Sequence, residues 1–216
     1  MSSNVADFAG KEISISGWLH KKRLLGGLTF INIRDREGLT QVLVEDKGEV
    51  EKLKGLQIGT VVDIKGTVVA DERAPGGVEL HDPKIKILVP VVDEPPIEID
   101  KPIQHKAENL DTLIENRVLN LRNLNEQKTF KIRASILKVF RDYLSENDFV
   151  EIQTPKLLGA APEGGTEVFK LDYFGQQATL AQSPQLYKQI MIGVYERVFE
   201  IGPAFRAEPS ATTRHL

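Results

Sequence analysis

"GWLHKKRLLGGLTFINIRDREGLTQVLVED", residues 17–46, decides the fold of the amino-terminal part of this chain. Within it "LTFINIRD" (28–35) and "LTQVLVED" (39–46) are short and rich in Val, Ile and Thr. Such runs between Gly-bearing turns read as strands. Working outward, "EISISGWL" (12–19) precedes them, and "VVDIKGTVV" (61–69) and "VELHDPKIKILV" (78–89) follow. Gly26-Gly27 and Pro75-Gly76-Gly77 supply turns, and "GEVEKLKGL" (48–56) reads as a short helix between the third and fourth strands.

Five strands in about eighty residues predict a small closed barrel of the oligonucleotide-binding (OB-fold) type, although the period by itself also admits another small barrel. This all-β domain covers 1–92. The stretch "VDEPPIEIDKP" (92–102) has three prolines and few large apolar residues, which suits a stiff connector, so 93–124 reads as a Pro-rich linker and hinge. Residues 125–216 then read as an α+β domain. A helix over about 126–147 carries Phe130, Ile136, Leu137, Phe140 and Leu144 at helical spacing, a stripe expected to be buried. "FVEIQTP" (149–155) follows as a strand, with a hairpin through "EVFKLDYFGQQATLA" (167–181). A helix comes next at "SPQLYKQIMIGVY" (183–195), with Ser183 as N-cap and Pro184 in its first turn, and "RVFEIGPAF" (197–205) is the last strand.

Composition narrows the function classes. Twenty-eight Lys and Arg against 31 Asp and Glu leave a formal charge of −3, so any nucleic-acid binding must come from a local patch. With no cysteine there is neither a disulfide nor a thiolate metal site, as suits a reducing cytosol. "MSSNVADFAGKE" lacks a basic-then-apolar leader and no apolar run reaches membrane-spanning length, so a cytoplasmic protein without membrane partners is expected.

Four clusters can carry chemistry. In "FRAEPSATTRHL" (205–216), Arg206, Arg214 and His215 can clamp a polyphosphate, and Glu208 can accept from a base amine; a solvated charged turn fits the same residues. In "QSPQLYKQ" (182–189), Gln185 and Lys188 are three apart and share one helix face. Lys188 stands near a helix N-terminus, where the dipole disfavours a cation, so a bound carboxylate would account for it as well as an exposed, extended lysine does. "APEGGTEVF" (161–169) pairs Gly164 and Gly165 beside Glu163, as in a mobile lid or a simple turn. Finally, Lys21, Lys22 and Arg23 lie beside a strand bearing Phe30, the elements of a single-strand nucleic-acid surface, unless Phe30 belongs to the core.

Together these segments resemble aspartyl-tRNA synthetases of the shorter, archaeal-like type, along nearly the whole chain. Residues 17–46 look like the anticodon-binding barrel, "FVEIQTPKL" like class II motif 1 with Pro155 at the dimer interface, and "EGGTEVF" like the mobile substrate loop. "AQSPQLYKQIM" is similar to the aspartate-binding helix and "RVFEIGPAFRAEPSATTRHL" to motif 2. The resemblance implies an incomplete class II antiparallel-sheet catalytic domain ending in motif 2. Motif 3 and the magnesium-binding carboxylates would lie beyond residue 216, so no metal ligand is expected here and this stretch alone is expected to be inactive.

What the resemblance implies is a homodimeric ligase that activates L-aspartate with ATP and Mg2+ and transfers it from the adenylate to tRNA. Arg206 then binds the α-phosphate and the aspartate carboxylate, while Glu163, Gln185 and Lys188 complete the aspartate pocket. Glu208 reads adenine, and Arg214, His215 and Leu216 belong to the ATP site. In the barrel Phe30 stacks on an anticodon base, Gln41 and Glu79 read base edges, and Arg23 holds the backbone. His20 and Pro75 stand where strictly selective members carry Trp and Lys, which implies a relaxed enzyme charging both tRNA(Asp) and tRNA(Asn). The alternatives are an asparaginyl-tRNA synthetase and a tRNA-binding module joined to a non-catalytic synthetase-like domain. Lys188 argues for aspartate, since an ammonium has only donors and pairs with a carboxylate rather than an amide nitrogen.

Overall fold

A computed structural model describes residues 1–25, 28–103, 109–159 and 168–207. The chain divides into two compact units, Met1–Lys131 and Ile132–Leu216.

In the first unit, β1 (Glu12–Leu25), β2 (Leu28–Arg34), β3 (Leu39–Val44), β4 (Val61–Ala70) and β5 (Val78–Val89) close into a barrel in the order β1-β2-β3-β5-β4. Neighbours are antiparallel except β3 and β5, which pair in parallel at Gln41↔Glu79 and Val42↔Leu80. Alternation sends Leu19, Ile31, Ile33, Val42, Val44, Val62, Ile64 and Leu80 inward, all 2% exposed or less. Full burial of each such side chain contributes about 1.5–3 kcal/mol. Gly17 permits the close approach of β1 and β2, because a Cβ there would stand 2.5 Å from the Arg34 carbonyl oxygen.

Helix α1 (Lys47–Lys54) covers one end of the barrel, with Leu53 fully buried in the core and the Asp46 side chain capping the Glu49 N–H at 3.0 Å. Its carboxyl end is closed by Lys22, whose Nζ donates to the carbonyls of Leu53, Lys54 and Leu56 at 3.2, 3.1 and 2.7 Å. A cation at that end also complements the helix dipole. This corrects the expected basic patch, because β1 runs on through "HKKRLL", pairing Lys21↔Asn32 through Leu25↔Leu28. Lys21 and Arg23 therefore share one face while Lys22 points to the other.

The proline-rich connector is anchored within this unit. Ile99, Leu113, Asn120 and Asn123 are each 3% exposed or less, and two short helices, α2 (Leu110–Glu115) and α3 (Arg117–Asn120), lie within the segment read as linker. The Asn123 amide donates to the carbonyls of Ile99 (3.3 Å) and Lys101 (2.5 Å), tying the two ends of the connector together.

Helix α4 (Leu124–Glu146) crosses the junction between the units. Its spacing is as expected, but its stripe is not buried: Phe130, Ile136 and Phe140 are about half exposed, with only Leu137 and Leu144 partly covered. Periodicity records which face is apolar; of the stripe, Phe140 meets the Phe199 ring edge to face at 6.3 Å, while Phe130 and Ile136 stay half exposed or more. The second unit also contains a parallel pair, β6 (Val150–Glu151) with β10 (Val198–Phe199). A three-stranded antiparallel sheet is ordered β7 (Leu157–Leu158), β9 (Gln176–Leu180), β8 (Lys170–Tyr173). The expected strands at 149–155 and 197–205 shrink to two residues each, since only Val198↔Val150 and Phe199↔Glu151 pair.

The hairpin β8–β9 turns at Phe174 (φ 52°) and Gly175 (φ 79°), two positive φ values in a two-residue loop, as the twist of the flanking strands requires. Helix α5 (Gln185–Tyr195) begins one residue later than expected. Pro184 takes the N-cap position, and the Ser183 Oγ still accepts from the Gln185 N–H at 3.1 Å.

Candidate functional site

The barrel presents a polar row across four strands, because the register aligns Lys21↔Asn32, Asn32↔Gln41 and Gln41↔Glu79. One step along, Arg23 pairs with Phe30. Phe30 lies on the face opposite Ile31 and Ile33 and is half-buried, so it is not a core residue. Gln41 donates to the Glu79 carboxylate and His81 Nε2 approaches the other Glu79 oxygen at 2.8 Å. Glu79 is only 4% exposed.

His20 is the extra residue of a β-bulge: Leu19 pairs with Ile33 and Lys21 with Asn32, leaving His20 without an opposite number. It is 5% exposed, and its Nδ1 is buried without a hydrogen-bond partner among the described residues. Burial first, then the Arg34 guanidinium, hold the imidazole below its ordinary value; Asp100 pulls the other way and Lys21 adds to the lowering. His20 is therefore neutral near pH 7. Arg34 in turn lies over the Trp18 ring at 4.6 Å.

A cavity of about 410 Å³ brings these features together. His20, Arg23, Gln41 and Pro75 line it from the barrel, and Asp100 and Lys101 from the connector. Phe30 and Glu79 are not in its wall, although Glu79 reaches it through Gln41. With Lys21 and Arg73 also present, four cationic side chains line it beside the single carboxylate of Asp100; Arg73 is paired with Asp71 at 2.8 Å and Lys101 with Glu98 at 2.7 Å, which leaves a smaller local excess of positive charge that the net charge conceals. The connector's part in this wall carries no short-range sequence signal. The Glu79–His81 pair does, since residues two apart in a strand share a face.

In the second unit, Gln185 and Lys188 stand on the first turns of α5, both exposed. Arg206 is exposed and follows Phe205, whose N–H donates to the Ala181 carbonyl at 2.9 Å. Glu163, Gly164, Gly165, Glu208, Arg214, His215 and Leu216 lie outside the described residues. Sequence reasoning missed a cluster on the segment that leads to Arg206. Glu200 accepts from the Thr154 N–H (3.0 Å), from the Thr154 hydroxyl (2.9 Å) and from the Lys156 ammonium (2.8 Å). Burial alone would raise the Glu200 carboxyl, but the Lys156 and Thr154 donors outweigh it and hold its pKa below the ordinary value.

Comparison with known proteins matches residues 109–216, half of the chain, to the family of class II tRNA synthetases (D, K and N). Residues 13–88 match the OB-fold nucleic acid binding domain. The chain is 44% identical over 211 residues to the aspartate–tRNA(Asp/Asn) ligase of Sulfurisphaera tokodaii, covering 97% of this chain and 48% of that protein. It is 41% identical over 210 residues to the enzyme of the same name from Thermus thermophilus, covering 96% of this chain and 47% of that one. Among solved structures, asparaginyl-tRNA synthetase from Pyrococcus horikoshii with asparaginyl-adenylate aligns at TM-score 0.85 and 34% identity, over 97% of this chain and 48% of that one. Aspartyl tRNA synthetase from Entamoeba histolytica aligns at TM-score 0.76 and 29% identity, over 100% and 47%. The chain spans about half the length of the relatives it matches. Its carboxy-terminal half fits the family model and its closed five-stranded barrel fits the anticodon-binding domain, so the chain belongs to the class II tRNA synthetases of the D, K and N group.

Proposed function

We propose that the full-length protein is an aspartate–tRNA ligase that charges both tRNA(Asp) and tRNA(Asn). The observation that carries the reading is the shared cavity that His20, Pro75, Gln41 and Arg23 line together, with room for more than a single pyrimidine and with cations in its wall. The two anticodons differ only at the third base, cytosine or uracil, so selectivity depends on how tightly one pyrimidine is held. At the two positions where selective members carry Trp and Lys, a neutral His20 and Pro75 supply neither that bulk nor that ammonium against the wrong base, and one missing polar contact is worth about 1–3 kcal/mol. The relatives named aspartate–tRNA(Asp/Asn) ligase support the same reading.

In the second unit Arg206 binds the ATP α-phosphate and the aspartate carboxylate, and Lys188 with Gln185 receives the substrate side chain. Catalysis of adenylate formation is then chiefly orientation and charge stabilisation by fixed cations. Magnesium, when bound, neutralises phosphate charge; no residue of this chain is assigned to it. A second copy of the chain along the half-exposed stripe of α4 and the segment at Pro155 completes the homodimer of this reading.

The test compares kcat/KM of the full-length enzyme on the two tRNA transcripts. Values within about tenfold are expected, and His20→Trp should widen the gap. A preference for tRNA(Asp) of about a thousandfold, roughly 4 kcal/mol, would overturn the reading.

A further inference from the structure

We propose that Lys156 is a positioning residue for Arg206, holding the segment 200–206 at both of its ends. The inference rests on the reading of Arg206 as the phosphate-binding arginine. At the near end, the Lys156 ammonium donates to Glu200 Oε1 at 2.8 Å and to Thr154 Oγ1 at 3.0 Å. At the far end the backbone carries the connection. The Lys156 carbonyl accepts from the Ala181 N–H, and the Ala181 carbonyl accepts from the Phe205 N–H, both at 2.9 Å. Phe205 is the residue before Arg206.

Residues 200–207 form no regular strand, so these tie points set the path of the chain that delivers the arginine. The pair is well shielded, with the Glu200 side chain 5% exposed and the Lys156 side chain 25%. Gly202 packs against it, since a Cβ there would meet Glu200 Oε1 at 3.3 Å and Lys156 Cε at 3.5 Å. A shielded ion pair is a poor source of net stability compared with apolar packing. Here it joins the segment after β6 to the segment after β10, 44 residues away in sequence. Placement of a catalytic group is sensitive to such supports, and a misplacement of about 1 Å can cost about 100-fold in rate.

The experiment is a double-mutant cycle in the full-length enzyme, read by ATP–pyrophosphate exchange, with the melting temperature of every variant measured in parallel. Lys156→Met should lower kcat by about 100-fold and raise the aspartate KM, because Arg206 also holds the aspartate carboxylate in this reading. Glu200→Gln, which keeps an acceptor and the volume, should lower kcat less, and it stands in for Lys156→Met in the cycle if that variant does not fold. Combined with Arg206→Lys, either change should add little to the loss caused by Arg206→Lys alone, because both act through the same group. Losses that multiply, or wild-type kcat in Lys156→Met, would overturn the proposal. Wild-type exchange in Arg206→Lys has a different signature: it removes the Arg206 reading itself, and the proposal with it.

Discussion

Gln41 Nε2 donates to Glu79 Oε2 at 2.9 Å across the parallel pair β3–β5, joining residues 38 apart in sequence. The other carboxylate oxygen of Glu79 meets His81 Nε2 at 2.8 Å. Both oxygens are thus engaged in the free protein, and under the proposed function a base edge at Gln41 and Glu79 would have to exchange with these contacts rather than fill an empty place. Preformed polar groups of this kind favour specificity over affinity, because a base that cannot replace the broken bonds is rejected.

Glu79→Ala removes the acceptor that Gln41 and His81 share in a nearly buried site. Leaving those donors unsatisfied should cost about 1–3 kcal/mol. Urea unfolding followed by tryptophan fluorescence measures it, as Trp18 lies in the barrel. An unchanged midpoint would show that solvent satisfies both groups.

The Asp35 carboxyl gives a pH signature. Burial alone would raise its pKa, but the Ser2 hydroxyl and N–H, with the N–H groups of Gly38 and Glu37, lower it to about 2. A pKa depressed by folding gives stability that is present above the unfolded value near 4 and is lost as pH falls toward about 2. Allowing for the solvent that reaches the site, the contribution is about 1 kcal/mol. Asp35→Asn should be less stable at pH 7 and show a flatter loss of stability between pH 4 and 2. Parallel pH curves for the two proteins would refute this.

Phe30→Ala tests the outward aromatic. Loss of one base stack should weaken binding of the full-length enzyme to tRNA by about 1–3 kcal/mol, while adenylate formation without tRNA stays unchanged. If both activities fall together, Phe30 supports the fold instead of the RNA.

Lys188→Met separates aspartate from asparagine as the substrate. Removing the ammonium opposite a substrate carboxylate should cost about 2–5 kcal/mol in aspartate activation, leaving ATP binding near normal. Ordinary exchange at ordinary aspartate concentration would dismiss Lys188 from the pocket.

The barrel was legible in the sequence because its information is local. Alternation alone separates Ile31 and Ile33 from Phe30 and Asn32, and a two-residue period leaves each side chain only two faces to choose from. The helices at 47–54, 124–146 and 185–195 were legible for the same reason, through spacing and caps. Only the tertiary structure decided the parallel closure that brings Gln41 to Glu79 and the bulge that leaves His20 buried with Nδ1 unpartnered. It alone brought Asp100 and Lys101 of the connector to the His20 cavity, and Lys156 to Glu200. These relations join residues far apart in sequence, so they follow from how closed strands and packed segments fill space, which no local period encodes. The stripe on α4 marks the boundary: its sequence determined which face is apolar, but only packing between elements can cover that face, and no periodicity specifies the partner.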